Sequence, residues 1–249
     1  MKKLLLIGVL LMSFLGFSQN EQLFDQANKA YQNGNYEKAV EDYQKILDNG
    51  EASAELYYNL ANAHYKLNHV APSIYYYEKA LQLKPGDEDI RNNIEFARNM
   101  AIDDIEAVEQ TGMSDRFNSF LATFTYHTWA WIAIGFSLLF VILFLFYYFS
   151  GRPVAKRILF GSAIFSLFLC VVSVFFAFQQ RSYIENNEFA IVFSEEAEVR
   201  NEPNMRGDAS FELHEGARAK VLEDYQEWSR IELANGDQGW IKSSDIKKL

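Results

Sequence analysis

Two apolar blocks, 129–149 and 158–178, break a chain of 249 residues whose flanking segments follow other patterns. Each block is about 20 residues long, the length an α-helix needs to cross a hydrocarbon core. The insert 150–157 carries Arg152, Lys156 and Arg157 and no acid. A short, purely basic connection predicts a membrane hairpin with its loop in the cytoplasm and both soluble segments on the outer face. In the second block Ser162, Ser166, Cys170, Ser173 and Ala177 recur at spacings of four, four, three and four, which places five small residues on one helix face. Such a face lets another transmembrane backbone approach closely, either the first span (through Ala130, Ala133 and Ser137) or a partner's helix. Neither block has an ionisable residue at its centre, which argues against an ion or substrate path. Tyr126, Trp129 and Trp131 are expected at the outer boundary and Tyr147 and Tyr148 at the inner one.

Before the spans the pattern is helical and repeats every 34 residues: Ala27 matches Ala61, Tyr31 matches Tyr65, Ala39 aligns with Ser73, Tyr43 matches Tyr77 and Leu47 matches Leu81. Small Ala27 and Ala61 allow close helix pairs, Gly34-Asn35 and Asn68-His69 supply the turns, and Pro85 stops the second repeat. The first repeat has Glu51 in place of that proline. A further helix, Glu88–Met100, carries Ile90, Ile94 and Ala97 as its apolar stripe and reads as a cap. The first-helix positions not used in packing make a concave face. They are Phe24, Asn28 and Tyr31, then Tyr58, Asn59, Asn62 and Tyr65, then Asn92, Asn93 and Phe96. Asparagine offers donor and acceptor together and tyrosine offers rigid area with a hydroxyl, a combination suited to an extended peptide. Asn28 and Asn62 are expected to meet a partner's backbone, while Tyr31 and Tyr65 serve either a partner or inter-repeat packing. The Tyr75-Tyr76-Tyr77 run cannot share one helix face, so at least one of the three is expected to be exposed.

These residues resemble the tetratricopeptide repeat family over Glu21–Met100. Some members clamp an acidic peptide C-terminus with Lys, Asn, Asn, Lys and Arg. Asn28 and Asn59 stand at matching positions, but Phe24, Asp89 and Asn93 occupy the three basic ones. The resemblance therefore implies a peptide groove without a carboxylate clamp. After the cap, Ala101–Gln110 is acidic with Ile102, Ile105 and Val108 on one side. Met113, Phe117, Phe120, Leu121 and Phe124 then form an amphipathic stripe suited to the membrane interface or to packing under the cap.

Beyond the second span the pattern shortens to alternating strands at 190–193, 197–200, 211–216, 219–222, 228–233 and 239–241, with a hairpin signal at Asn235-Gly236. Val199-Arg200-Asn201-Glu202-Pro203, Leu213-His214-Glu215-Gly216, Trp228 with Ile231, and Gly239-Trp240-Ile241 together resemble a bacterial SH3 domain over Phe189–Ile246. That resemblance implies a small β-barrel that binds cell-wall peptides or proteins and is not catalytic. It places Trp240 in the core and Trp228 at the groove.

Composition narrows the choice. The formal net charge of −10 disfavours nucleic acid. The single cysteine, Cys170, lies within a span, and the four histidines show no metal-ligand spacing. No nucleophile, metal set or paired-acid site is visible, so we expect no catalysis and no cofactor. Lys2 and Lys3 before apolar Leu4–Phe17, with Gly16 and Ser18 ahead of Gln19, read as a cleaved signal or an uncleaved anchor. The expected order is a signal peptide (1–18), repeats with a cap (19–100), an acidic and amphipathic linker (101–128), a span (129–149), a cytoplasmic loop (150–157), a second span (158–178) and an SH3-like barrel (179–249).

That order, with Tyr58–Ala63, Ala71–Leu81 and Asp89–Ala97 as its sharpest pieces, resembles the BatE-like family of Bacteroidetes aerotolerance (Bat) operon proteins. The resemblance implies an inner-membrane, multi-pass protein with both soluble domains in the periplasm. It implies Bat membrane partners with von Willebrand A domains, a MoxR-type ATPase in the cytoplasm and a link to oxygen or stress tolerance. The resulting expectation is a periplasmic scaffold. The alternative is a cell-wall sensor whose SH3 domain binds peptidoglycan.

Overall fold

A computed structural model describes residues 20–105, 112–206 and 208–249. The expected signal segment and Val108 fall outside these residues. The chain divides into two compact bodies: the N-terminal helices together with Glu188–Leu249, and the region between them.

The first body begins with five helices: α1 (20–32), α2 (Tyr36–Asp48), α3 (Ala54–Lys66), α4 (Val70–Leu83) and α5 (Glu88–Arg98). Polar caps fix their starts. Asn35, Ser53 and Asp87 each accept a backbone N–H from the first turn of α2, α3 and α5. A side-chain cap of this kind stabilises a helix by about 1 kcal/mol. The two turns within repeats use left-handed residues at matching positions, Gly34 (φ 77°) and Asn68 (φ 58°). Asparagine tolerates this region better than other non-glycine residues, which is why the second turn needs no glycine. Ala27, Ala61, Ala39 and Ser73 have no exposed surface, and the Ser73 hydroxyl donates to the Ala61 carbonyl at 3.1 Å. The small residues predicted to set helix spacing do so.

Seven antiparallel strands follow: β1 (Glu188–Val192), β2 (Glu196–Arg200), β3 (Ala209–His214), β4 (Arg218–Tyr225), β5 (Trp228–Glu232), β6 (Gln238–Lys242) and β7 (Ile246–Lys248). They form one sheet in the order β3-β2-β6-β5-β4-β1-β7. The barrel expected from sequence is therefore not closed: β3 and β7 are edges. The short β7, which the sequence pattern did not reveal, spends its pairing on β1. Val192, Val199, Leu213, Ile231 and Ile241 make the sheet's core, and Ile105 from the acidic linker packs on it.

The sheet is seated on α4. Gly216, in the turn between β3 and β4, has φ 92°, and a Cβ there would lie 2.9 Å from both Ile74 Cδ1 and Val70 Cγ1. Ile191 joins the helical core, with Phe193 and Leu249 packed against it. Asp103 of the linker accepts the His214 backbone N–H at 2.6 Å and pairs with its Nδ1 at 2.8 Å. The Asp103 carboxylate holds the His214 imidazole above its ordinary range. Glu78 of α4 lies 2.7 Å from Arg98 and 3.1 Å from Arg218 of β4.

This seating corrects the expectation for the tyrosine run. Tyr75, Tyr76 and Tyr77 are only 7%, 8% and 1% exposed. Tyr77 points into the repeat core, and Tyr76 lies between Tyr57 and His64. Tyr75 is covered from the sheet side, with its ring edge-on to Phe193 at 5.7 Å.

The second body contains α6 (Met113–Leu121), α7 (Tyr126–Phe149) and α8 (Pro153–Asn186). Helices α7 and α8 are long and apolar enough to cross a membrane. At 34 residues α8 extends about 50 Å and overruns its apolar block at both ends. The connection shrinks to 150–152, because Pro153 sits at the first helical position, where its missing N–H costs nothing. Lys156 and Arg157 therefore lie on the first turns of α8 and not in a loop. Ala163, Ser166, Ser173 and Gln180 are buried on α8, at spacings of three, seven and seven, and Trp129 and Ala133 are buried on α7. That seven-residue period is the seam of a left-handed helix pair. The Ser166 hydroxyl donates to the Phe136 carbonyl at 2.8 Å. Cys170 is half-buried and Ser162 is exposed, off the seam. Trp129, expected at the lipid boundary, is buried instead. Its Nε1–H donates to the Leu121 carbonyl at 3.2 Å, and Phe120, Phe124 and Phe176 surround its ring. Gln180 donates to the Phe124 carbonyl beside it.

Replacing Gly216 by Ala tests the seating. A side chain at this φ, pressed on Val70 and Ile74, should cost about 2–4 kcal/mol. Limited proteolysis of Gly216→Ala should open a new cut near 101–105. An unchanged digestion pattern and melting temperature would mean that the contact with α4 does not depend on the glycine.

Candidate partner-binding groove

The helices α1, α3 and α5 present the residues expected on the concave face. Two repeating hydrogen-bond triplets tie them together. Tyr43 of α2 donates its hydroxyl to Asn28 Oδ1 at 2.6 Å, and Asn59 Nδ2 of α3 donates to the same oxygen at 3.2 Å. Thirty-four positions on, Tyr77 of α4 donates to Asn62 Oδ1 at 2.6 Å, and Asn93 Nδ2 of α5 donates to it at 3.1 Å. Asn93 also donates to the Tyr58 hydroxyl at 2.8 Å. Burial, reinforced by neighbouring phenols, pushes the Tyr43 and Tyr77 hydroxyls well above the ordinary tyrosine range. They therefore stay protonated and act as donors.

The amide oxygens of Asn28 and Asn62 are thus committed inside the fold. Sequence reasoning offered them to a partner because it did not pair them with the tyrosines. The signal was present, since Asn28/Asn62, Tyr43/Tyr77 and Asn59/Asn93 all share the 34-residue period. The Nδ2 groups of Asn28 and Asn62 meet no acceptor among the described residues, so each asparagine keeps a donor for the groove. Asn93, at a position where clamp-bearing repeats are basic, is occupied in the same lattice.

The aromatic members divide. Phe24 packs on Tyr43 at 5.8 Å, and Tyr31 meets Tyr36 edge-on at 5.2 Å. Tyr58 lies 6.0 Å from Tyr77. Tyr65 is half-buried, with the Lys66 ammonium 5.9 Å from its ring centre. Phe24, Tyr31 and Tyr58 thus combine packing with partial exposure. By contrast Asn92 is exposed without a partner among the described residues, and Phe96 is 60% exposed. An open apolar ring beside an open amide is the part of this face that the fold itself does not use.

On the sheet, both tryptophans lie on the outer face, against the expectation that Trp240 is core. Trp228 is only 7% exposed, whereas Trp240 is half-buried with its ring 6.4 Å from Tyr225. Gly239 explains this. A Cβ there would lie 2.4 Å from Val199 Cγ1, so Gly239 and Ile241 face the core and Trp240, between them, faces outward.

Sequence comparisons agree with this architecture. The tetratricopeptide repeat model matches residues 24–88, and the bacterial SH3 domain model matches residues 194–248. Comparison with curated proteins gives no match. Both matched modules are typically non-catalytic binding domains. Among the described residues, no group of three or more His, Cys, Asp or Glu is placed to hold a metal ion.

Two outcomes follow from the side-chain geometry. Asn62→Ala strips the acceptor from the hydroxyl of Tyr77, a residue only 1% exposed, and this variant should be about 1–3 kcal/mol less stable than wild type. A melt identical to wild type would show that water replaces the amide at no cost. The second concerns His64, which stacks on Tyr76 and is pushed down to about 4 by burial first, then by His69 and Lys247. Because the folded state disfavours its protonation, stability should fall as pH drops below the ordinary imidazole value of about 6.5, until the folded value is passed. Relative to His64→Gln, wild type should lose up to roughly 3 kcal/mol between pH 7 and pH 4, read from paired melts.

Proposed function

We propose that this protein is a membrane-anchored scaffold that gathers protein partners on one two-module platform. The observation that carries this reading is the seating of the SH3-like sheet on α4. Two binding modules that share a core present a fixed pair of surfaces, and a scaffold needs that geometry more than tethered, independent domains would provide it. The shared core also requires both modules to lie on the same side of any membrane. An even number of crossings satisfies this, in keeping with a hairpin of α7 and α8. Arg152, Lys156 and Arg157 cluster at one end of that hairpin and support a cytoplasmic tip, with both modules in the periplasm.

In this reading Phe24, Asn28, Tyr31, Tyr58, Asn59, Asn62, Tyr65, Asn92 and Phe96 form the partner face. Asn92 and Phe96 act as its anchors and the remainder as its framed floor. The small-residue stripe of α8 serves the hairpin through Ser166, Cys170 and Ser173, which leaves Ser162 for a neighbouring helix. The resemblance to BatE-like proteins suggests Bat membrane proteins with von Willebrand A domains as partners, in oxygen or stress tolerance.

A second reading has one observation in its favour. Tyr225, Trp228, Arg230 and Trp240 share the outer face of β4–β6, an aromatic and basic surface suited to a wall peptide. There the protein would be a cell-wall sensor.

Full-length protein with Asn92→Ala and Phe96→Ala tests the first reading against the second. Losing two groove anchors worth about 0.7 kcal/mol each should weaken co-purification with a von Willebrand A membrane protein about tenfold, without lowering the melting temperature. Undiminished co-purification would remove the concave face from the partner site. Sedimentation with purified peptidoglycan, abolished by Trp240→Ala and unaffected by the groove variant, would favour the sensor.

A further inference from the structure

The cleft where α4 meets β7 belongs neither to the concave face nor to the outer face of the sheet. It encloses about 240 Å³ and is walled by Tyr57, Tyr75, Tyr76 and Glu51, with Lys79 from α4 and Lys247 from β7. Lys79 Nζ lies 5.7 Å from the centre of the Tyr75 ring, and Lys247 Nζ lies 4.3 Å from the same centre. Tyr57 and Tyr76 stack at 6.1 Å, and the Tyr76 hydroxyl donates to Gln44 at 2.9 Å, so this wall is held in place.

The donors in the cleft are not matched by acceptors. Among the described residues neither Lys79 nor Lys247 forms an ion pair, although Glu51 stands on the same wall, and the hydroxyls of Tyr57 and Tyr75 meet no protein partner. This occurs in a chain of formal net charge −10, where acids outnumber bases 33 to 23. Two ammonium groups drawn over one aromatic ring gain some cation–π attraction, but they also repel each other and lose hydration. Burial lowers both lysines below their ordinary range, and Lys247 adds to the effect on Lys79. An anion arriving between them would relieve that cost and accept the idle hydroxyls.

We propose that this cleft is an oxyanion site, built from Lys79, Lys247 and the hydroxyls of Tyr57 and Tyr75, for a carboxylate or phosphate group. Its volume suits a small charged group better than a drug-sized ligand, which needs about 300–1,000 Å³. Lysine is a point charge on a flexible stem and meets either oxyanion without a fixed fork geometry. Because Lys79 belongs to the repeats and Lys247 to the sheet, the bound anion is shared by both modules. The site does not depend on the concave face binding a partner.

Amine labelling of full-length protein in non-ionic detergent, read residue by residue by mass spectrometry, tests this. Inorganic phosphate and succinate are the probes, with chloride at equal ionic strength as control. At a probe concentration about four times Kd, modification of Lys79 and Lys247 should slow about fivefold, while Lys29 on the surface is unaffected. In Lys79→Gln, the protection of Lys247 should be lost while the melting temperature stays within a few degrees of wild type. The more protective of the two probes names the ligand's charged group. Absence of protection, equal protection by chloride or at Lys29, or undiminished protection of Lys247 in Lys79→Gln would overturn the site and leave the lysines as aromatic clamps only.

Discussion

The first body depends on α4 being buried from two sides. A surface helix ordinarily hides one stripe and wets the other. Here Tyr77 and Ile74 have at most 1% exposure, and Tyr75 and Tyr76 are nearly as enclosed. One side is closed by the neighbouring helices and the other by the sheet. The contact is possible because Gly216 brings backbone, with no Cβ, against Val70 and Ile74. Apolar burial supplies the attraction. The His214–Asp103 and Glu78–Arg218 pairs, placed around it, fix the rotation of the sheet on the helix. Removing a partner from such a half-buried pair costs more than the pair contributes, so these contacts select the arrangement more than they strengthen it.

Much of this was legible in the sequence, and what was not has a common cause. The 34-residue period located the helices and their turns, because each repeat must bury the same small residues at the same spacing. Six of the seven strands declared themselves through alternation and the Asn235-Gly236 turn. Helix α8 starts earlier than the basic insert suggests, because Pro153 serves as a first-turn residue. Most of the remaining departures involve residues whose neighbours lie on other elements. The tyrosine run looks partly exposed until a sheet more than a hundred residues away is placed on it. The acidic stretch looks like a solvated linker until Asp103 meets His214. Trp240 is turned out of the core by one close approach at Gly239, which no local pattern records. Asn28 and Asn62 looked free for a similar reason: their tyrosine partners sit on the following helix, at a fixed offset that only the fold gives meaning.

In the second body, two kinds of contact divide the work. The seven-residue seam of α7 and α8 relies on small side chains, which let the two helix backbones approach closely. At its polar end an aromatic cluster around Trp129 takes over, with Leu121 and Phe124 carbonyls satisfied by Trp129 and Gln180. That end contains larger rings and side-chain hydrogen bonds to backbone carbonyls. The positive residues at the opposite end, Arg152, Lys156 and Arg157, are separated from it by the full length of the pair.

The asparagine–tyrosine triplets bear on how such a chain could grow. Asn59 reaches back to the first repeat, and Asn62, one turn further along the same helix, receives Asn93 from the next. Each unit therefore offers at its far end the same acceptor that it found at its near end. A duplicated block of one period, inserted between α2 and α3, would find a ready donor and acceptor at both joins, and neither the cap nor the sheet-bearing helix would need to change. The repeat array is open to lengthening from within by gene duplication, while the end formed by α4 and α5, seated against the sheet and followed by the linker, is closed to it.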